Sequence, residues 1–586
     1  MEPDNMDRRE FLTYGGIGLG GIVLGGAAGQ MTGSGGTSSS SGGGTETSTS
    51  SNGQTGAALP ERSILTATAK FDPLRPQIAK MISQEMKNIG VNYDANLLRY
   101  QKNADKVIQR EPDYDMWLVR ISSSPARIEP SFHTTNFYAS WSQHNQGWNW
   151  MGYEDDEVDF LCNLQGSELN KSQRQQIVYQ LQQTLREESP AAQIAHPQLL
   201  QFYRSDNVEF DGSFTPGEGL NSFWAKMNAE PKGRSEIREA WTSPLDKLNP
   251  IAITDVLDLW FARLIYSRLL RVSPDGVPEP YESKELNVIS PTEIEIVLDE
   301  DLKWHDGDSV TAEDVKFTFE LYKRAQAPYY NASLQKLDEV TIEDDYRVRF
   351  HLKEPTASFT HSALAGVMLL KKEKWQSIEE ENESLLKYQV EDPVGSGPFK
   401  FESWNRGGKL ILARNEEFVP EPPKIEKIVR TNRDSVELAL KATEQNENDV
   451  VSYSVTPNLF DRAGEKENIE TNKALSVGYY GLFFNCDREP FTDPEFRRAL
   501  QYVIPREKIV DEIFGGKATP GTSIISPGNK FWNNPNVDAY EYDPEKAKQI
   551  LEDAGYTWDS DGNLRFPSGM VGVPSEEEVT IPTPDN

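Results

Sequence analysis

A mixed α/β fold of two or three domains is what the residue pattern predicts. A length of 586 residues is too great for one core. Residues 63–121 alternate strand and helix as a βαβαβ run, which implies a parallel sheet with helices on its faces. Between about 280 and 390, apolar and polar residues alternate with a period of two, the mark of half-buried antiparallel strands.

At the N-terminal side, Asp7-Arg8-Arg9-Glu10-Phe11-Leu12 precedes an uncharged, Gly-rich stretch from Thr13 to Met31. Paired arginines, Phe-Leu and a weakly apolar segment resemble a twin-arginine export signal, which makes residues 1–31 a targeting segment. Ala27-Ala28-Gly29 is then a cleavage site, or the segment stays as a membrane anchor; no cysteine follows it for lipid attachment. Residues 32–58 form a linker, nearly all Ser, Gly and Thr, with a root-mean-square span on the order of 30 Å.

Ile64 to Ala69 reads as the first strand, and Ile78, Met81, Ile82, Met86 and Ile89 mark the helix after it. Val91 to Leu98 is the second strand, and after another helix Tyr114 to Ile121 is the third. From Ser172 to Glu188, Ile177, Leu181 and Leu185 stand four apart on a one-faced helix that Pro190 stops. Ile294, Ile296 and Leu298 alternate with polar residues, as do Val348, Phe350 and Leu352. Asp493-Pro494 and Asp543-Pro544 each read as N-cap then N1 of a helix. Trp304-His305-Asp306-Gly307 reads as a tight turn over a packed Trp. Cys162 and Cys486 read as free thiols, since one bridge is dispensable in a domain of this size.

The net charge of −32 argues against nucleic acid, whose phosphates need clustered Lys and Arg. Acid spread over the whole length suits a protein kept soluble in high salt. There is no Gly-x-Ser-x-Gly, His-Glu-x-x-His or phosphate-cradling Gly loop, and none of the six histidines sits in a nucleophile or metal motif. These absences weigh against an exported hydrolase, the enzymatic alternative, and no cofactor or catalytic residue is expected.

Longer motifs point to one family. Ile265-Tyr266-Ser267-Arg268-Leu269-Leu270 with Pro274-Asp275-Gly276, Trp304-His305-Asp306-Gly307 with Thr311-Ala312-Glu313-Asp314-Val315, and Pro393-Val394-Gly395-Ser396-Gly397-Pro398-Phe399 stand in order. Phe491-Thr492-Asp493-Pro494 with Arg497-Arg498-Ala499-Leu500, and Ala547-Lys548 with Leu551 and Ala554-Gly555-Tyr556, follow. Residues 235–566 thereby resemble the family 5 extracellular solute-binding proteins, from their mature N-terminus to about the two-thirds point. The remainder of the family pattern resembles residues 60–228, through Ile64-Leu65-Thr66-Ala67-Thr68, Ile89-Gly90-Val91, Tyr114-Asp115-Met116, Gly152-Tyr153 with Glu157-Val158-Asp159, and Pro190-Ala191-Ala192. The family length is covered once, in exchanged order. That resembles a circular permutation whose old termini join across 229–235; two incomplete fragments are the alternative.

The resemblance implies a two-lobed fold like that of type II periplasmic binding proteins, circularly permuted, with an extra small domain at about 280–390. Lobe one would comprise 204–228 and 236–476, and lobe two 477–566 continued by 59–203, leaving 567–586 as an acidic, Pro-containing tail. The implied function is the exported substrate-binding component of an ABC importer, a monomer that captures a small solute, first of all a peptide, and delivers it to a permease with its ATPases. A ligand-sensing receptor without transport is the neighbouring reading. The membrane would be met through the N-terminal segment.

The same resemblance supplies candidate ligand residues. Gly478-Tyr479-Tyr480 matches a hinge strand that faces the ligand, where alternation lets only one tyrosine reach the cleft. In peptide-binding relatives the strand matching 114–121 ends in a Trp and, three residues later, an Asp that receives the peptide ammonium; here Ile121-Ser122-Ser123-Ser124 puts Ile121 and Ser124 at those positions. Asp255 and Asp258, beside Trp260, are possible substitutes, whereas Arg120 and Arg127 would favour an anionic or carboxylate-bearing ligand. Solvated surface charge is the plain alternative for these four. The aromatic stretch Phe132 to Trp150, with His133 and His144, is open between a packed loop, a ligand lining and a metal site.

Overall fold

The structure, a computed structural model, describes residues 56–108, 113–143, 147–453 and 455–568. The expected export segment, the linker as far as residue 55, His144 and the tail from residue 569 lie outside the described residues.

The first described elements are those the alternation predicts. Strand β1 (Ser63–Ala67) leads through a loop to helix α1 (Arg75–Asn88), whose Ile78, Ile82 and Met86 share one buried face. Strand β2 (Asp94–Leu98), helix α2 (Tyr100–Ile108) and strand β3 (Met116–Ile121) follow. β1 lies parallel to both other strands, with Ser63 opposite Asp94 and Ile64 opposite Met116. Asp155 and Asn170 accept backbone N–H groups at the starts of helices α3 (Asp156–Ser167) and α4 (Lys171–Glu188). Ser189 ends α4 in a left-handed conformation and opens the long strand β4 (Ala191–Arg204).

Strand β5 (Glu236–Trp241) and the buried helix α5 (Val256–Ile265) come next. The predicted antiparallel stretch is a separate four-stranded sheet of β6 (Ser283–Ser290), β7 (Glu293–Leu298), β8 (Leu337–Asp344) and β9 (Arg347–Leu352), ordered β6-β7-β9-β8. Ile294, Ile296, Val348 and Phe350 fill its buried face. Trp304 is buried beneath the expected turn, in which Gly307 N–H donates to the Trp304 carbonyl at 2.9 Å with Gly307 at a φ of 101°. Strands β10 (Phe399–Trp404), β11 (Lys409–Arg414), β12 (Lys427–Asn432) and β13 (Val450–Val451), helix α6 (Pro457–Gly464), and strands β14 (Ile469–Leu475), β15 (Tyr479–Phe484) and β16 (Ala518–Pro520) complete the set needed here. Asp493 and Asp543 cap their helices as predicted, and both cysteines are free thiols.

Twelve strands form one sheet in the order β10-β11-β12-β5-β13-β4-β15-β3-β1-β2, with β14 and β16 also paired to β4. Its two ends belong to different cores, and these define two lobes. Trp241, Phe261, Ile296, Phe319 and Leu412 belong to the core of the first. In the second, strands β1, β3 and β15 are buried on both faces: Ile64, Leu118, Leu482 and Phe484 point to one core, and Leu65, Trp117, Val119 and Phe483 to another. Burial on both sides explains why these strands read as continuous apolar runs. The second lobe draws on both ends of the described chain. β3 pairs with β15 antiparallel, Ile121 opposite Tyr479, and Phe566 N–H donates to the Ala57 carbonyl at 2.9 Å.

Phe491 shows the joining directly, for it is fully buried with Tyr93 at 6.1 Å, Phe484 stacked at 5.8 Å and Phe496 at 5.7 Å between ring centroids. Phe491→Ala is expected to lower the unfolding free energy by about 3–5 kcal/mol, measured by urea denaturation. A loss under about 1 kcal/mol would mean that the two segments do not share a packed core.

Candidate functional site

A cleft of about 830 Å³ opens where the lobes meet. Among the described residues, two chain segments cross between them. β4 is unbroken, with Ala195 opposite Tyr480 of the second lobe and Gln201 opposite Asn472 of the first. The other crossing is Ser476-Val477-Gly478 between β14 and β15. A Cβ on Gly478 would stand 2.0 Å from the Ile121 carbonyl oxygen, so the close approach of this crossing to β3 requires glycine. Buried His196 on β4 donates from Nδ1 to the Gly478 carbonyl at 3.2 Å, and Ser526 Oγ donates to the Ser476 carbonyl at 2.6 Å. Elsewhere the lobes touch: Ala357 N–H donates to the Gly166 carbonyl at 2.8 Å, and His361 Nε2 to the Pro125 carbonyl at 3.1 Å.

Of the residues nominated from sequence, Trp260, Tyr480, Ser122, Ser123, Ser124 and Arg120 line the cleft. Tyr480 is the tyrosine that faces it, donating its hydroxyl to Asp72 Oδ2 at 3.1 Å, and burial raises its pKa to about 12. Trp260 lies against the first-lobe wall and donates Nε1–H to Glu218 Oε1 at 3.0 Å.

The other nominations are corrected. Tyr479 points to the opposite face of β15, fully buried against His133 and His196. Ile121, next to it across the ladder, is in the same core as Trp117 and Phe137. Gly478 acts through its backbone in the crossing. Asp255 is the N-cap of α5, accepting from Leu257 N–H at 2.7 Å. Asp258 is buried and accepts from Asp246 N–H at 2.9 Å, and burial pushes its carboxyl upward. Arg127 donates to the Ser122 carbonyl at 2.5 Å and to Ser122 Oγ at 2.6 Å, with its guanidinium 4.9 Å from the Phe132 ring and 5.5 Å from Trp148. It braces the loop behind the cleft.

The aromatic stretch is a packed loop. Phe132 meets Trp148 edge-on at 5.1 Å, Trp148 stacks on Trp150 at 5.4 Å, and Phe137 stacks on Phe483 at 5.7 Å. None of these side chains lines the cleft. His133 is buried, and desolvation lowers its pKa to about 3, so its ring is a neutral core group.

Sequence reasoning missed Phe71, Asp72, Arg75, Tyr100, Glu218 and Lys517, which all line the cleft. A signal existed for the first four. They follow β1 and β2 directly, and ligands of open α/β sheets gather beyond the carboxyl ends of the strands. Asp72 Oδ2 accepts from Arg75 Nε at 3.1 Å. Glu218 is held in a fork by Arg263, Nη1 to Oε1 at 2.9 Å and Nη2 to Oε2 at 3.0 Å. Lys517 pairs with Asp461 at 2.9 Å. Phe71 and Tyr100 stack at 4.4 Å and stay exposed.

Comparison with known proteins adds four likenesses. Residues 277–586 match the family described as bacterial extracellular solute-binding proteins, family 5 Middle. The chain is similar to the oligopeptide-binding protein AppA of Bacillus subtilis (strain 168), 28% identical over 274 residues, which cover 45% of this chain and 48% of that protein. It is similar to the dipeptide-binding protein of Escherichia coli (strain K12), 28% identical over 283 residues, 43% of this chain and 50% of that one. Among solved structures, that of NikZ from Campylobacter jejuni in complex with Ni(L-His) is 23% identical with a TM-score of 0.42, covering 57% of this chain and 66% of that one. The chain spans about half the length of the curated relatives it matches.

Burial of His196 at the crossing has a pH signature. Desolvation lowers its pKa to about 4, below the ordinary value near 6.5. The unfolded chain therefore binds the proton first, and stability is lost as pH falls from about 6.5 toward 4. His196→Gln is expected to flatten this part of the stability profile, by up to about 3 kcal/mol between pH 7 and 4, in chemical denaturation at a series of pH values. Equal slopes for both proteins would contradict the neutral buried ring.

Proposed function

Because the chain belongs to the bacterial extracellular solute-binding proteins of family 5, we propose that it captures a small solute, in the first place a peptide, between its lobes and hands it to a membrane permease driven by ATPases. The observation that carries this reading is a cleft between two separately cored lobes, crossed by one continuous strand and one three-residue link that can act as a hinge. Capture needs no bond-making step: a ligand that touches both walls stabilises the closed arrangement, and a partner reads that arrangement. The protein works on the outer face of the cytoplasmic membrane, exported by the twin-arginine route and held there by its N-terminal segment or released.

The exchanged segment order belongs to the same reading. It is supported by the neighbourhood of residues 57 and 566, linked by a backbone hydrogen bond of 2.9 Å, since these are the positions a family-ordered chain would connect. Glu230-Pro231, at the proposed joint of the old termini, pairs with Val208-Glu209 as a short ladder. Exposed connections near packed termini tolerate such cutting and joining. A chain aligned in one direction can follow only one of the two pieces, in keeping with the half-length matches to the curated relatives.

Heating the full chain with di- and oligopeptides, sugars, nickel chelates and organic acids is expected to show one cooperative transition, raised by one ligand class through mass action. No shift with any class would overturn the capture reading. A reordered chain running 235–566 and then 59–228 is expected to fold and to bind the same ligand within a few-fold of the same affinity; failure to fold would refute the permuted order.

A further inference from the structure

The chain carries a net charge of −32, yet the charged side chains lining the cleft are three cations, Arg75, Arg120 and Lys517, against two carboxylates, Asp72 and Glu218. Both carboxylates are already used. Glu218 is buried, with both oxygens engaged by Arg263 and one also by Trp260. Asp72 accepts from Arg75 Nε, Tyr480 Oη and Leu74 N–H. A ligand ammonium entering this cleft would find no uncommitted anion among the described lining residues, and a desolvated charge without a partner is costly.

Lys517 is paired with Asp461 and Arg75 with Asp72, yet the cations are not all used up. Arg120 projects from β3 as an exposed residue in the cleft, its guanidinium 5.7 Å from the Tyr480 ring, with no carboxylate within ion-pair distance among the described residues. Arg75 is 4% exposed, lines the cleft, and keeps Nη1 without a hydrogen-bond partner among the described residues. Two helix N-termini open onto the same space, one from each lobe. α1 begins at Leu74-Arg75 and α6 at Thr456-Pro457, neither with an acidic residue in its first turn. Their dipoles add positive potential where the guanidinium groups lie.

We propose that the cleft takes a solute bearing a free carboxylate and that Arg120 is the residue that receives it. The inference rests on the reading of the cleft as the solute site. A guanidinium binds a carboxylate through two parallel N–H donors, and Arg120 is free to offer that fork. The stacked pair of Phe71 and Tyr100 and the rings of Trp260 and Tyr453 give the rest of the ligand apolar walls.

The test heats the full chain with a tri- to pentapeptide pool in free-acid, C-amidated and N-acetylated forms, with succinate, glutarate and citrate, and with maltooligosaccharides. A rise in unfolding midpoint that survives N-acetylation and disappears on amidation identifies a peptide carboxyl terminus. A rise with the small acids alone identifies an organic acid. In either case Arg120→Met weakens binding about 10- to 100-fold and Arg120→Lys restores part of it, with the unliganded midpoint unchanged. The inference is overturned if amidated peptides or maltooligosaccharides stabilise as well as the free acids, or if Arg120→Met binds as tightly as the native protein. Both of those results leave the capture reading standing, whereas no rise with any probe overturns the two together.

Discussion

The antiparallel pairing of β3 with β15 is the contact on which the rest of the second lobe depends. Its partners come from opposite ends of the described chain, and they bring Trp117, Leu118, Leu482 and Phe483 into the two cores that sandwich the sheet. Closing so long a loop costs chain entropy before any apolar contact offsets it. The gain must therefore be concentrated. It is: both faces of β15 are fully buried, and Phe484, Phe491, Phe496 and Tyr93 form a continuous aromatic contact across the junction. The first lobe is more local, and its polar interior is closed by ion pairs. Arg271 binds Glu282 through Nε at 2.8 Å, Lys226 pairs with Glu239, and Arg263 with Glu218. Such pairs add little net stability over apolar packing but make any rearrangement that breaks them expensive. Two stiff bodies joined by a narrow crossing are the mechanical requirement for closure about a cleft.

Much of this architecture was legible in the sequence because its signals are local. The βαβαβ run, the Asp-Pro helix starts and the antiparallel strands each follow from periodicity or capping within a dozen residues. Small errors at boundaries have identifiable causes. The second strand begins at Asp94, not Val91, because Val91 N–H still donates to Met86 O at 3.0 Å in the turn that ends α1. The third begins at Met116, since Tyr114 leaves the ladder to donate its hydroxyl to the Trp150 carbonyl at 2.6 Å.

The site was less legible, because burial decides which charges matter and burial depends on distant partners. Asp255 stood at the head of an apolar helical run, which is an N-cap signal, and that is what it proved to be. Nothing local separates Arg120 from Arg127. The two differ only in what lies around them: Arg127 has the Ser122 carbonyl and two aromatic faces, and Arg120 has open cleft. Glu218 could not be read as a spent charge without Arg263, which a different element supplies. Alternation said that one of Tyr479 and Tyr480 would face inward. The register of β15 on β4, with Tyr480 opposite Ala195, settles which.

The cleft wall of the second lobe inherits the same long-range dependence. Arg120 and Ser122 to Ser124 arrive with β3, and Tyr480 with β15, so the wall exists only once that pairing has formed. Tyr480 then ties the wall back to the loop after β1 through Asp72, which also orients Arg75. A ligand touching these residues binds the paired state alone, and its binding free energy adds to the stability of the second lobe by mass action. On the proposed reading, ligand capture and the joining of the chain's two distant segments would be one equilibrium. The lobe that costs most entropy to assemble is then also the one whose assembly a captured solute would stabilise.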